Sequence, residues 1–238
     1  MSMGMKNITL FTYTHSNCKD LHTVYFERIK KYSNIQNELT LCDIDVPSTH
    51  TNIYSNDEPF YKQILDGLYK VNTEYVLYSQ EDYILFDYIK EDHLSEYTNL
   101  MDKDKNIGFI RLIKSGIEND DIIYNDELSI ISENSQYYYS TQATIWRKST
   151  LIDLFNKSKS ISIRDEVINS QYLRELNIIG LYTNQIGKKV GGHYNSLIWP
   201  YISTAIVLSK WNTMEYKNEL YDIFDEFKID KNKRGENV

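Results

Sequence analysis

The sequence predicts an α/β protein in which a Rossmann-like parallel half-sheet is followed by a half of mixed strand pairing. Two patterns carry that expectation. Over residues 8–79, short apolar runs rich in β-formers alternate with segments whose apolar residues recur every three or four positions. Strands alternating with amphipathic helices favour a parallel sheet joined by right-handed crossovers. Four strand-like runs then crowd into residues 107–145, and strands with few helices between them pair in mixed or antiparallel fashion.

Taken in order, residues 8–13 (ITLFTY) form the first strand, ending in a polar loop, THSN. Leu21, Val24, Tyr25, Ile29 and Tyr32 place a helix over 19–33, and residues 39–44 (LTLCDI) make a second strand beside Asp43 and Asp45. A helix over 57–71, with Phe60, Ile64, Leu65 and Leu68 on one face, leads to the third strand at 75–79. Beyond it come a helix over 93–102, strands at 107–113, 122–124, 128–132 and 137–145, helices over 149–156 and 165–176, and a strand at 178–182.

With 238 residues, 41% of them hydrophobic and 13% aromatic, the chain has enough apolar material for one sizeable core. No repeat or linker interrupts it, so residues 1–230 read as a single domain and the charged residues 231–238 as a disordered tail. A net charge of −8 argues against nucleic acid as a partner, and an anionic substrate would need a local device such as a cation. There is no apolar run of transmembrane length, and MSMGMKN lacks a signal peptide's apolar core, so the expectation is a cytoplasmic protein with no membrane span. Cys18 and Cys42 have neither metal-ligand spacing nor a disulfide framework around them. Neither GxGxxG nor GxxxxGK[ST] occurs, which removes the usual dinucleotide and P-loop devices.

The stretch carrying most information is YVLYSQEDY, residues 75–83, where an apolar strand runs into Glu81 and Asp82. Ligands of parallel sheets bind beyond the strands' carboxyl ends. Adjacent acids repel, and solvent, a basic partner or a divalent cation relieves the repulsion. The pair is therefore either a solvated acidic turn or part of a metal and phosphate site.

This order of elements, over roughly residues 7–212, resembles the GT-A fold of nucleotide-sugar glycosyltransferases. YSQEDY falls where that family has its DxD motif, and GGHYNSLIWPYISTAIVLSKWN resembles the C-terminal segment of small bacterial and viral members. Gln80 stands where a DxD enzyme has its first aspartate. The resemblance implies a hexosyltransferase-type enzyme moving a sugar from a nucleotide-diphosphate donor, UDP-sugar foremost, to a glycan or other hydroxyl acceptor. It implies Mn²⁺ or Mg²⁺ as cofactor, with Asp82 and His193 as ligands and Glu81 on the ribose or a metal-bound water. Thr12, Tyr13, Thr14 and His15 would hold the base, Tyr13 by stacking; Asp43 or Asp45 would bind ribose or base; Gln142 would bind the donor sugar.

Each assignment has a plainer counterpart. His193 could be a loop histidine, although Gly191 and Gly192 before it allow close approach to a ligand. Asp165 and Glu166 are the candidates for the base that takes the acceptor's proton, yet Ser162 with acids three and four residues later also resembles a capping box. A noncatalytic nucleotide-sugar or glycan-binding module of the same fold is the alternative class. A nucleotidyltransferase ranks behind both, because its signature loop is glycine-rich and THSNCKD has no glycine.

Overall fold

The computed structural model describes residues 7–115 and 122–237. The first half contains β1 (Ile8–Tyr13), α1 (Lys19–Tyr32), β2 (Asn37–Cys42), β3 (Thr51–Ile53), α2 (Phe60–Leu68), β4 (Tyr75–Gln80) and α3 (Glu91–Lys103). Next come β5 (Ile107–Arg111), β6 (Lys114–Ser115), β7 (Ile122–Ile123), β8 (Leu128–Ile130), β9 (Thr144–Arg147), α4 (Lys148–Ser158), α5 (Glu166–Arg174) and β10 (Ile179–Thr183). The chain closes with β11 (Ile186–Val190), β12 (His193–Ser196), β13 (Ile206–Val207), β14 (Lys210–Trp211) and α6 (Lys217–Phe227).

Nine strands form the main sheet in the order β3-β2-β1-β4-β9-β5-β10-β8-β7. β3, β2, β1 and β4 are mutually parallel, β9 enters antiparallel between β4 and β5, and β10 returns parallel to β5. This is the parallel half followed by the mixed half that the sequence predicts. Along β1 and β4 the side chains alternate between the sheet's faces: Ile8, Leu10, Tyr75 and Leu77 pack with α1 and α3, whereas Phe11, Val76 and Tyr78 pack with α2 and α4. A third apolar cluster seats α6, through Leu220, Ile223 and Phe224, on Leu21 and Val24 of α1.

Three expectations are corrected. Residues 137–143 are not strand, and β9 begins only at Thr144. Side chains take up the backbone there in place of a ladder: Arg111 Nη2 donates to the carbonyls of Tyr137 (2.7 Å) and Tyr138 (3.1 Å), and the Tyr139 amide donates to Ser170 Oγ (2.9 Å). α2 starts at Phe60 because Pro59 holds the extended N-cap conformation. The tail is not loose over 231–237. Trp211 N donates to Gly235 O, Asn237 N donates to Trp211 O, and Lys231 pairs with Glu236 at 2.8 Å.

Gly180, the second residue of β10, lies over the ring of Phe109, which is stacked on Trp146 at 4.4 Å. A methyl group there would be driven into that ring, with nowhere for the ring to retreat. Gly180→Ala should therefore cost about 1–3 kcal/mol in urea denaturation. Gly192→Ala, whose new methyl meets nothing, should change stability by less than about 0.5 kcal/mol.

Candidate active site

The chain leaves β1 toward β2 and β3 on one side, then crosses to β4 on the other. The strand order reverses between β1 and β4, and the crevice beyond their carboxyl ends is where open α/β sheets bind ligands. Tyr13 pairs with Gln80, so the two strand ends lie abreast. The turn after β1 and the pair Glu81–Asp82 consequently face one another across the switch point.

Asp82 Oδ1 is sealed from solvent and receives no hydrogen bond. Burial, and then the neighbouring Glu81 charge, hold the Asp82 carboxyl well above the ordinary carboxylate range. A desolvated carboxylate beside a second acid fits a divalent cation, which would supply the missing countercharge. Gln80 Nε2 donates to Tyr78 Oη at 3.1 Å. Cys18 adjoins this pair, its thiol pushed up by burial and then by Glu81.

On the β1 side, several residues expected at the base are spent on the protein itself. Thr12 Oγ1 meets Tyr25 Oη at 2.9 Å, and Thr14 Oγ1 meets His22 Nε2 at 2.9 Å, both buried. Tyr13 stacks parallel to Tyr54 at 5.5 Å and donates from Oη to Gln63 Oε1. Asp43 accepts from Ser16 N and Oγ at 2.6 Å each and from Asn56 Nδ2 at 3.1 Å, which hold its carboxyl well below the ordinary range. His15 leans on Asp43 at 3.5 Å and remains partly open, while Asp45 is exposed.

His193 opens β12 directly after a tight turn. Val190 pairs with His193, so Gly191 and Gly192 are the two-residue turn of the β11–β12 hairpin, with the first glycine at φ +54°. Close approach is real, but to Glu215: a methyl on Gly191 would strike its carboxylate. Among the described residues no hydrogen bond or ion pair joins His193 to Glu81 or Asp82. The imidazole instead lines a cavity of about 270 Å³ with Arg111, Ser115, Tyr137, Gln142 and Glu166. Burial, and then the Arg111 charge, push His193 down to about 4, so it is neutral at pH 7.

The same cavity separates the two candidate bases. Asp165 is turned away, accepting at Oδ2 from the amides of Ile161 and Ser162 at 3.0 Å each. Glu166 faces the cavity, with Oε1 taking the amide (2.6 Å) and hydroxyl (2.9 Å) of Thr141. Tyr83, next to Asp82, donates to Thr141 O at 3.0 Å, and Gln142 Oε1 accepts from Tyr201 Oη at 2.7 Å. One short segment thus ties the acidic strand end to the cavity. Arg111 and Glu215 carry no sequence signal for these places, since segments distant in the chain bring them here.

A second cluster, His93 with Glu127 at 3.2 Å and Glu96 at 3.8 Å, is partly exposed and separate from this site.

The architecture is GT-A-like, a mixed α/β fold with a large, mostly parallel sheet. The chain is similar to the crystal structure of S. aureus TarS 1–349, with 11% identity and a TM-score of 0.50, over 92% of this chain and 63% of that one. A further S. aureus TarS structure matches with 13% identity and a TM-score of 0.51, over 96% and 41%. A cytidylyltransferase from Leptospira borgpetersenii matches with 11% identity and a TM-score of 0.51, over 95% and 97%. The chain thus spans less than two thirds of either TarS structure. At these identities the likeness is one of fold. No protein-family model and no curated protein matches the chain. Among the described residues no helix is long and apolar enough to cross a membrane.

Asp82 costs stability in the absence of a cation, because the folded chain withholds both solvent and partners from its Oδ1. Raised in the folded state, the group binds its proton more tightly there than when unfolded, so stability falls as pH rises above the ordinary carboxylate range. Asp82→Asn should accordingly raise the melting temperature in chelator at pH 7.5, by about 2–4 °C per kcal/mol recovered. The gain should shrink toward pH 4, and scanning calorimetry at both pH values measures it.

Proposed function

We propose that the chain is a cation-assisted glycosyltransferase that moves a sugar from a nucleoside-diphosphate donor, with UDP-sugar as the first candidate, to a hydroxyl of a glycan or similar acceptor. The observation that supports it best is the Asp82 carboxylate: half-buried, with Oδ1 sealed from solvent and without a hydrogen bond, beside Glu81, and set at the switch point of a GT-A-like sheet.

In this reading Asp82 holds Mn²⁺ or Mg²⁺, with Glu81 alongside, and the bound cation would offset charge on the departing diphosphate. Base and ribose are assigned to the turn after β1, against His15 and the Asp43 it leans on. The donor sugar and acceptor hydroxyl belong to the 270 Å³ cavity, which is of monosaccharide size and lined by groups that can hydrogen-bond hydroxyls. Glu166 is the base. Thr141 fixes its Oε1, and Oε2, to which no described residue donates, takes the acceptor proton as the hydroxyl attacks. That implies single displacement with inversion. Neutral His193 hydrogen-bonds substrate in the cavity rather than ligating the cation, since the neighbouring Arg111 charge would oppose a second cation there.

The test is a thermal-shift panel of UDP, GDP and CDP and their sugars, with and without Mn²⁺, followed by assay of sugar release. A stabilisation that needs both cation and diphosphate is expected, scaling as RT ln(1 + [L]/Kd). Asp82→Ala should lose it. Glu166→Gln should keep the shift but slow sugar transfer by about 100-fold or more. Binding without turnover would favour the noncatalytic module, turnover of CTP with pyrophosphate release a nucleotidyltransferase, and a folded protein without any shift would overturn the reading.

A further inference from the structure

We infer that Arg234 is the chain's own cation for the donor's diphosphate, parked on Asp20 until the phosphates arrive; this rests on the donor site proposed above. The segment carrying it is a strap fixed on both sides of the arginine. Before it, Lys231 Nζ donates to Tyr221 Oη at 2.7 Å, and Tyr221 Oη in turn donates to Glu236 Oε2 at 3.0 Å. After it, Gly235 turns the chain at φ +75° and Gly235 O and Asn237 N bond to Trp211. The strap need not move for the side chain to swing.

Arg234 is held at the first turn of α1, the helix that follows the turn after β1. Its Nε and Nη2 donate to Asp20 Oδ2 and Oδ1 at 2.6 Å each, and Nη1 makes only a 3.4 Å contact to Ser209 O. Asp20 opens α1 two residues after Cys18, the residue adjoining Glu81. The guanidinium's field reaches Asp82, where it opposes that of Glu81. A fork-shaped cation thus stands at the start of the helix that follows the turn facing those carboxylates, on an element that sequence patterning leaves outside the fold.

Exchange of partner is favourable on charge and on geometry. Asp20 offers one negative charge and its side chain is about half exposed, 48%, so water weakens the pair. A diphosphate offers more charge and the same bidentate fit to a guanidinium. Releasing Asp20 costs little, because a carboxylate in the first turn of a helix keeps favourable contact with its amides. The parked state holds the arginine at the first turn of α1, and in the bound state it would share the leaving charge with the cation on Asp82.

Titration calorimetry in Mn²⁺ tests this with whichever of UDP, CDP and GDP the unaltered chain binds, and with the matching nucleoside. Arg234→Gln should weaken diphosphate binding about tenfold or more while leaving nucleoside binding as it was. Asp20→Asn frees the arginine and should tighten diphosphate binding. Both variants remove the same ion pair, so a purely structural clamp would move binding and melting temperature alike in the two; parallel changes, or unchanged diphosphate affinity in Arg234→Gln, overturn the proposal. Arg234→Lys, which keeps the charge, should restore part of the affinity. If the unaltered chain binds none of the three diphosphates, the transferase reading falls as well, whereas binding with no divergence between the variants sinks the Arg234 role alone.

Discussion

The pairing of β4 with parallel β1 on one edge and antiparallel β9 on the other is the constraint on which the rest of the molecule depends. It fixes β4 in the interior of the sheet, with apolar side chains on both faces. Polar chemistry is then confined to the strand's end, because carboxylates within it would be buried without partners. It also sets the end of β4 abreast of the end of β1, and so places Glu81 and Asp82 opposite the turn after β1. On its other edge β9 draws in the Tyr137–Gln142 segment that precedes it, and with that segment the cavity.

The site's two regions are mechanically joined through Thr141. Its carbonyl is held by Tyr83, one residue past Asp82, and its amide and hydroxyl hold Glu166. Tyr201, in ring contact with Tyr83 at 5.1 Å, in turn grips Gln142. Shifts at the acidic strand end therefore reach Glu166 through two hydrogen bonds. The unrelieved Asp82 Oδ1 marks a place where local stability is given up, as proteins do at strained sites.

Where sequence reasoning succeeded, the signal was local and periodic. β1, β4, β10 and the helices between them announce themselves by alternation or three-four spacing, and each occurs within a few residues of its expected place. Where it failed, tertiary partners had overridden propensity. The tyrosine-rich run at 137–143 has strong β character, but Arg111 and Ser170 capture its backbone. Gly191 and Gly192 announce a special backbone, and they have one, but its neighbour is Glu215. The short strands β12 to β14 leave too brief a pattern to be read, and the 231–237 strap is held by bonds to Trp211 and Tyr221 that no local rule foresees.

By itself the sequence determined the parallel half-sheet, the acidic end of its central strand and the absence of the common phosphate-binding loops, because each is written in neighbouring residues. Only the tertiary structure decided which of those acids is desolvated, that Glu166 rather than Asp165 faces the cavity, that His193 keeps company with Arg111, and that Arg234 returns to the first turn of α1. The reason is physical: burial, charge and hydrogen-bond partnership are properties of what surrounds a side chain, and here the surroundings come from residues as much as 214 positions away.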